Sequence, residues 1–101
     1  MIRFHKEAAE ELESSALFYE SQKSGLGSRF LEAVSIALKT IQSHPNAWAG
    51  LKSRTYSLRR CSLKQFPYGL IYEVKNQDIV IWAVAHLARK PGYWKKGRQK
   101  G

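Results

Sequence analysis

Apolar positions follow two different rhythms along this chain. From Lys6 to Gln22, Ala8, Ala9, Leu12, Ala16 and Tyr19 recur at intervals of three and four, the period of one helix face. Glu7, Glu10 and Glu11 stand in its first turns, where negative charge suits the positive end of the helix dipole and solvation is their expected role. The stretch KSGLG at 23–27 interrupts the pattern, and Ser24 is the expected N-cap of a second helix. That helix is expected to reach about Ser43, with Phe30, Val34, Ala37, Leu38 and Ile41 as its apolar stripe. His44-Pro45 ends it, since a residue before proline avoids the helical region, and His44 reads as a cap-region residue. Two helices joined by so short a link fold back as an antiparallel hairpin.

Beyond Pro45 the rhythm changes. PNAWAGLKSRT at 45–55 reads as a loop, and three strand signals follow at 56–66, 69–75 and 78–86. The last, DIVIWAVAH, is nearly all apolar, as expected for a strand buried on both faces. Asn76-Gln77 forms one tight link and Phe66-Pro67-Tyr68-Gly69 the other turn. At the N-terminus, IRFH at 2–5 alternates briefly and reads as an edge strand. The expected class is therefore α+β, in the order β-α-α-β-β-β, with the helical hairpin on one face of a small, mostly antiparallel sheet. Leu12, Ala16, Phe30, Val34, Leu38 and Ile41 are expected to pack on Leu70, Tyr72, Ile81 and Ala83 or their strand neighbours. The opposite face is expected to be less covered and to carry part of the basic strand 56–66. The domain spans 1–94, and KKGRQKG at 95–101 is a polar, flexible tail.

Charge adds to this picture. At 101 residues the chain is one domain, and its 44% hydrophobic and 25% charged content is ordinary for a globular protein. Its net charge of +9 is not. Six acids stand against four bases in residues 1–32, but only two acids against thirteen bases in 33–101. Such a field favours an anionic partner: nucleic acid, an acidic protein or an anionic lipid surface. A single cysteine, Cys61, excludes an internal disulfide and suits a reducing cytoplasm. Acids interrupt the N-terminus as a secretory signal, and the longest apolar run, Ile79 to Ala85, is too short to span a bilayer.

Little in the sequence supports metal or cofactor chemistry. His5, His44 and His86 are scattered, Cys61 has no partner at ligand spacing, and no glycine-rich phosphate loop follows a strand. Cys61 with His86 would make a nucleophile pair, but a cysteine among strand residues more simply acts as a small buried hydrophobe. What stands out is a basic, aromatic set: Arg59, Arg60, Lys64, Tyr68, His86, Arg89, Lys90, Tyr93 and Trp94. Arg and Lys hold phosphates while Tyr and Trp stack on bases, and the same residue types anchor protein interfaces. Three of them have a structural alternative: Trp94 as satellite core, Tyr93 as a structural hydroxyl, His86 as a hydrogen-bonded residue closing its strand.

Four segments together, FHKEAAEELESSALFYE at 4–20, GLGSRFLEAV at 25–34, FPYGLIYEV at 66–74 and AVAHLARKPGYW at 83–94, resemble the RelE/ParE superfamily of type II toxin-antitoxin toxins. The resemblance covers nearly the whole chain and implies the same β-α-α-β-β-β fold. RelE-like members cut messenger RNA on the ribosome, using basic residues and a C-terminal tyrosine. By that pattern arginines belong at the positions of Gly69 and Leu87, and a lysine pair near Arg60 and Ser62. Arg60 and Tyr93 keep suitable chemistry, and Arg89 or Lys90 are the remaining cations that would serve; the nuclease set would then be Arg60, Arg89 and Tyr93. Losing one such charge stabiliser costs on the order of 10²–10³ in rate. The FPYG and PGYW segments are similar to ParE-like members, which bind DNA gyrase without that nuclease set. The resemblance therefore implies a ParE-like, non-hydrolytic toxin of a plasmid-stabilisation type, with no cofactor, metal, membrane or small-molecule substrate. Its implied partners are DNA gyrase and a cognate antitoxin whose acidic segment folds on binding. A RelE-like ribosome-dependent endoribonuclease and a non-toxic basic binding module are the alternatives.

Overall fold

A computed structural model describes residues 1–48, 50–51, 57–89 and 92–95. The elements run β1 (Ile2–Phe4), α1 (Lys6–Gln22), α2 (Leu26–Ser43), β2 (Leu58–Ser62), β3 (Tyr68–Lys75) and β4 (Asp78–His86), closed by a 3-10 turn at Tyr93–Lys95. The β-α-α-β-β-β order expected from the sequence is the one observed. The sheet order is β1-β4-β3-β2, with β1 parallel to β4 and the other pairs antiparallel.

The helical hairpin forms as its periodicity demands, with two corrections. Ser24 is not the N-cap of α2; Gly25 is, and it supplies no side chain. The capping oxygens come instead from Glu20 near the end of α1, which accepts the Gly25 N–H at 3.0 and 3.1 Å and the Gly27 N–H at 3.0 Å. A carboxylate here meets both the orphan amides and the positive helix end. Gly27 is fixed by close approach: a Cβ there would stand 2.6 Å from the Ala16 carbonyl oxygen of α1. The second correction is Ala9, which is exposed; Ala8, Leu12, Ala16 and Tyr19 carry the α1 contact.

Phe30, Val34, Ala37 and Ile41 are buried against Cys61, Leu70, Tyr72, Ile79, Ile81 and Val84. Each large aliphatic or aromatic side chain removed from water here contributes about 1.5–3 kcal/mol. Ala83, expected in this layer, belongs to the opposite face. The reason is a β-bulge. Ile71 pairs with Ala83 but Tyr72 pairs with Ile81, so Trp82 is the extra residue on β4. Trp82 and Ala83 therefore both point away from the helices, and alternation resumes one step out of phase, with Val84 turned towards them.

The second face is not the sparsely covered one expected. Leu58, Ile71, Val80, Trp82, Ala83, Ala85 and Trp94 form a second buried cluster, with Leu51 and Tyr93 packed against it. The 3-10 turn that ends the described chain folds back over the sheet and covers it. Polarity nevertheless enters this layer: the Trp82 indole N–H donates to Glu73 at 3.3 Å, and His5 packs edge-on to Trp82 at 4.9 Å between centroids.

Strand β2 is shorter than the expected 56–66, ending at Ser62 because the chain turns there. The Leu63 N–H donates to the Tyr68 carbonyl at 2.8 Å, and Gln65 takes a φ of 70°. Tyr68 and Gly69 already belong to β3. The tail expected from residue 95 lies almost wholly outside the described residues.

Candidate functional site

The cleft of interest lies where the ends of β3 and β4 meet the first half of α1. Tyr68 opens β3, and His86 closes β4 directly opposite it, their rings 5.0 Å apart. The His86 Nδ1 accepts the Ala88 N–H at 3.0 Å, so this ring closes its strand as a hydrogen-bonded residue. The Leu87 N–H donates to the Pro67 carbonyl at 2.8 Å and the Arg89 N–H to the His86 carbonyl at 3.0 Å. These bonds turn the chain sharply after β4 and bring Arg89 back beside the sheet end. Its guanidinium carbon then sits 3.7 Å from the centroid of the Tyr93 ring, a cation–π contact.

Facing these residues is α1. Glu7, Glu10, Glu11, Ser14 and Ser15 line the cleft together with Tyr68, Val84, His86, Arg89 and Tyr93, around a volume of about 440 Å³. The Tyr93 hydroxyl donates to Glu11 Oε2 at 2.7 Å, and the Val84 backbone N–H donates to Glu11 Oε1 at 3.0 Å. Sequence reasoning read the α1 acids as solvated dipole partners and missed Glu11. The signal available was its spacing: it lies one turn from Ala8 and Ser15, on the flank of the apolar stripe, where a side chain is half-buried.

The nine residues singled out by sequence do not form one surface. Tyr68, His86, Arg89 and Tyr93 converge on the cleft. Trp94 is adjacent but 6% exposed, its ring inside the second core and edge-on to Tyr93 at 5.4 Å. Arg59 turns to the helix side, where its guanidinium donates to the Trp48 carbonyl. Arg60 lies on the second face, its stem over Gly69: a Cβ at position 69 would meet Arg60 Cγ at 2.9 Å and Leu87 Cδ2 at 3.5 Å. Lys64 lines a separate groove of about 740 Å³ with Arg29, Ile36 and Trp48, between α2 and the β2 edge. Lys90 lies outside the described residues. Cys61 is buried, and burial pushes its thiol above the ordinary value, which makes it a poor nucleophile. Among the described residues no group of three or more His, Cys, Asp or Glu is arranged to hold a metal ion. No described helix is long and apolar enough to cross a membrane.

The arrangement is a two-walled cleft, acidic on α1 and aromatic-basic on the sheet end. A family model, the ParE toxin of type II toxin-antitoxin system, parDE, matches residues 2–91. The chain belongs to the ParE toxin family. Among solved structures the fold of this ParE-family chain is similar to that of the chromosomal ParDE TA system from P. aeruginosa. The TM-score is 0.71 and the sequence identity 20%, over 85% of this chain and 94% of that one. A comparison with curated proteins finds no match. As a ParE-type toxin of a type II system, the chain has a cognate antitoxin as its partner.

Proposed function

We propose that this ParE-family toxin stops growth in the cytoplasm by binding DNA gyrase without cleaving nucleic acid, and that an antitoxin with an acidic segment neutralises it. The observation that carries the reading is the bond from the Tyr93 hydroxyl to Glu11, in a cleft with Glu7 and Glu10 on the same wall. A nuclease using Tyr93 would have to bring a phosphate to that hydroxyl. Two like charges about 4 Å apart repel by about 4 kcal/mol at an effective dielectric of 20, so this wall opposes a phosphate rather than holding one. Gly69 points the same way: the Arg60 stem, 2.9 Å from where a Cβ would stand, already occupies the space in which a longer side chain would start. A cleft that rejects phosphate while presenting Arg89, Tyr68 and His86 suits a protein surface better, since aromatic rings and arginine dominate such interfaces. The excess of bases in residues 33–101 supports an acidic antitoxin segment, drawn in by long-range attraction.

Two assays run in parallel test this. Purified chain is added to a gyrase supercoiling reaction and to ribosomes translating a defined messenger RNA. Inhibited supercoiling with trapped DNA breaks, and intact message, is the expected result. Message cut on the ribosome, with cleavage lost in Tyr93→Phe or Arg60→Ala, would overturn the proposal. Inhibition of neither target would leave the chain as a binding module without this activity, and would overturn it as well.

A further inference from the structure

We infer that Glu11 is the positioning residue of the target-facing end, a single carboxylate that holds the C-terminal segment against the sheet. The inference rests on the reading above, that the cleft and its C-terminal rim face the target. It starts from a mismatch in strand length. β1 pairs only with Ile79, Val80 and Ile81, and the His5 N–H reaches the Ile81 carbonyl at 2.9 Å, so β1 gives out while β4 continues to His86. The bulge at Trp82 then shifts the phase of β4, and the Val84 N–H points to the edge that β1 has vacated. A backbone N–H on a half-buried sheet edge needs an acceptor, and the helix provides one: Glu11 Oε1 at 3.0 Å. Its second oxygen takes the Tyr93 hydroxyl at 2.7 Å. Hydrogen bonds to a carboxylate are the strong kind, and one side chain making both ties three separate parts of the fold together.

The consequence reaches Arg89 and Trp94. The Tyr93 ring carries the Arg89 guanidinium on its face and abuts the Trp94 ring. Where Glu11 places the hydroxyl, it also places the ring, and the ring places the cation. Glu11 touches no target in this scheme; it sets the orientation of Arg89, which does.

The test uses the full chain and four variants, Glu11→Ala, Glu11→Gln, Tyr93→Phe and the double Glu11→Ala/Tyr93→Phe, each checked for folding by circular dichroism. Two quantities are read: amide hydrogen exchange at Val84, Tyr93 and Trp94, and the concentration that half-inhibits gyrase. Glu11→Ala is expected to speed exchange at all three amides by about tenfold or more relative to Ile81, and to raise the half-inhibiting concentration by a similar factor. Tyr93→Phe should speed exchange at Tyr93 and Trp94 but leave Val84 protected. Glu11→Gln, whose amide oxygen can still accept the Val84 N–H, should fall between wild type and Ala. The double variant should be no more impaired than the more impaired of the two single variants. If Glu11→Ala does not fold, Glu11→Gln and Tyr93→Phe still decide the matter. Unchanged exchange, additive losses in the double variant, or weaker inhibition that only tracks the unfolded fraction would each overturn the inference. A wild-type chain that leaves gyrase untouched would sink the proposed target instead, and exchange alone would then decide whether Glu11 holds the end in place.

Discussion

Glu20 and Gly27 lock the two helices together: the carboxylate at the end of one accepts the amide at the start of the other at 3.0 Å, and a Cβ on Gly27 would strike Ala16. Removing the capping carboxylate in Glu20→Ala is expected to cost about 1 kcal/mol, the usual worth of a lost N-cap. Gly27→Ala is expected to cost more, about 1–3 kcal/mol, because the helices must separate to admit a methyl group. Urea denaturation of the two variants checks the order. A Gly27→Ala chain as stable as wild type would mean that the helices are further apart than described.

Trp94 is expected to behave as core. At 6% exposure it closes the layer over Val80, Trp82, Ala83 and Ala85. Trp94→Ala should lose about 3–5 kcal/mol, the range for removing a buried aromatic. Trp94→Phe should retain most of the stability. A Trp94→Ala chain that melts like wild type, but no longer binds its target, would instead make the ring an interface anchor.

Stability is expected to fall on the alkaline side. Burial pushes the Tyr72 hydroxyl above the ordinary tyrosine range, the nearby Arg59 charge working against it, and the group donates to the Pro45 carbonyl at 2.6 Å. Below about pH 10 the hydroxyl is protonated in both native and unfolded chains. Above that value the unfolded chain ionises first and binds fewer protons, so stability drops as pH rises and is lost through the raised native value. Tyr19, also raised by burial, acts in the same direction. Melting curves from pH 8 upward should show the decline, and Tyr72→Phe should flatten it while costing about 1 kcal/mol at neutral pH for the lost bond. A slope as steep in Tyr72→Phe as in wild type would remove Tyr72 as the cause.

The β3–β4 hairpin turns through Asn76 and Gln77 with φ of 52° and 72°. Asn tolerates this conformation, but Gln pays a steric cost that glycine avoids. Gln77→Gly is expected to stabilise the chain by about 0.5–1 kcal/mol, a rise of several degrees in Tm for a domain of this size. A lower Tm would show that the entropy lost by the added glycine outweighs the relieved strain.

How much of this was legible in the sequence depended on whether the cause was local. Lys6–Gln22, Leu26–Ser43 and Asp78–His86 were readable because period, proline and turn residues all act within a few positions. The bulge at Trp82 was not, since an all-apolar strand gives alternation nothing to mark, and Ala83 and Val84 exchange faces unseen. The cap of α2 was missed because its oxygens come from Glu20, beyond the window in which Ser24 is the natural candidate. The second core was only half legible: Trp94 could be read as satellite core or as an interface anchor, and nothing local in GYW says that the turn folds back over the sheet. In the site, Tyr68, His86, Arg89 and Tyr93 line one cleft, the first two at facing strand ends and the other two in the segment that follows β4. Arg59, Arg60 and Lys64 were grouped with them on charge alone, and strand alternation sends consecutive residues to opposite faces.

Strand β4 sets the order in which the chain can assemble. Its pairing with β3 closes across a two-residue turn, whereas the bonds from Val84 and Tyr93 to Glu11 span 73 and 82 residues of sequence. Closing so long a loop costs entropy that a neighbouring hairpin never meets, so the nucleus is expected to form from the hairpins while both ends of the molecule remain loose. The N-terminal strand and the aromatic turn would then dock late, after the barrier. Stopped-flow measurements should find that changes at Phe4 or Glu11 hasten unfolding and leave the folding rate almost untouched, and a slowed folding limb would contradict that order. The residues read here as the working end would be the last to find their places and the first to leave them.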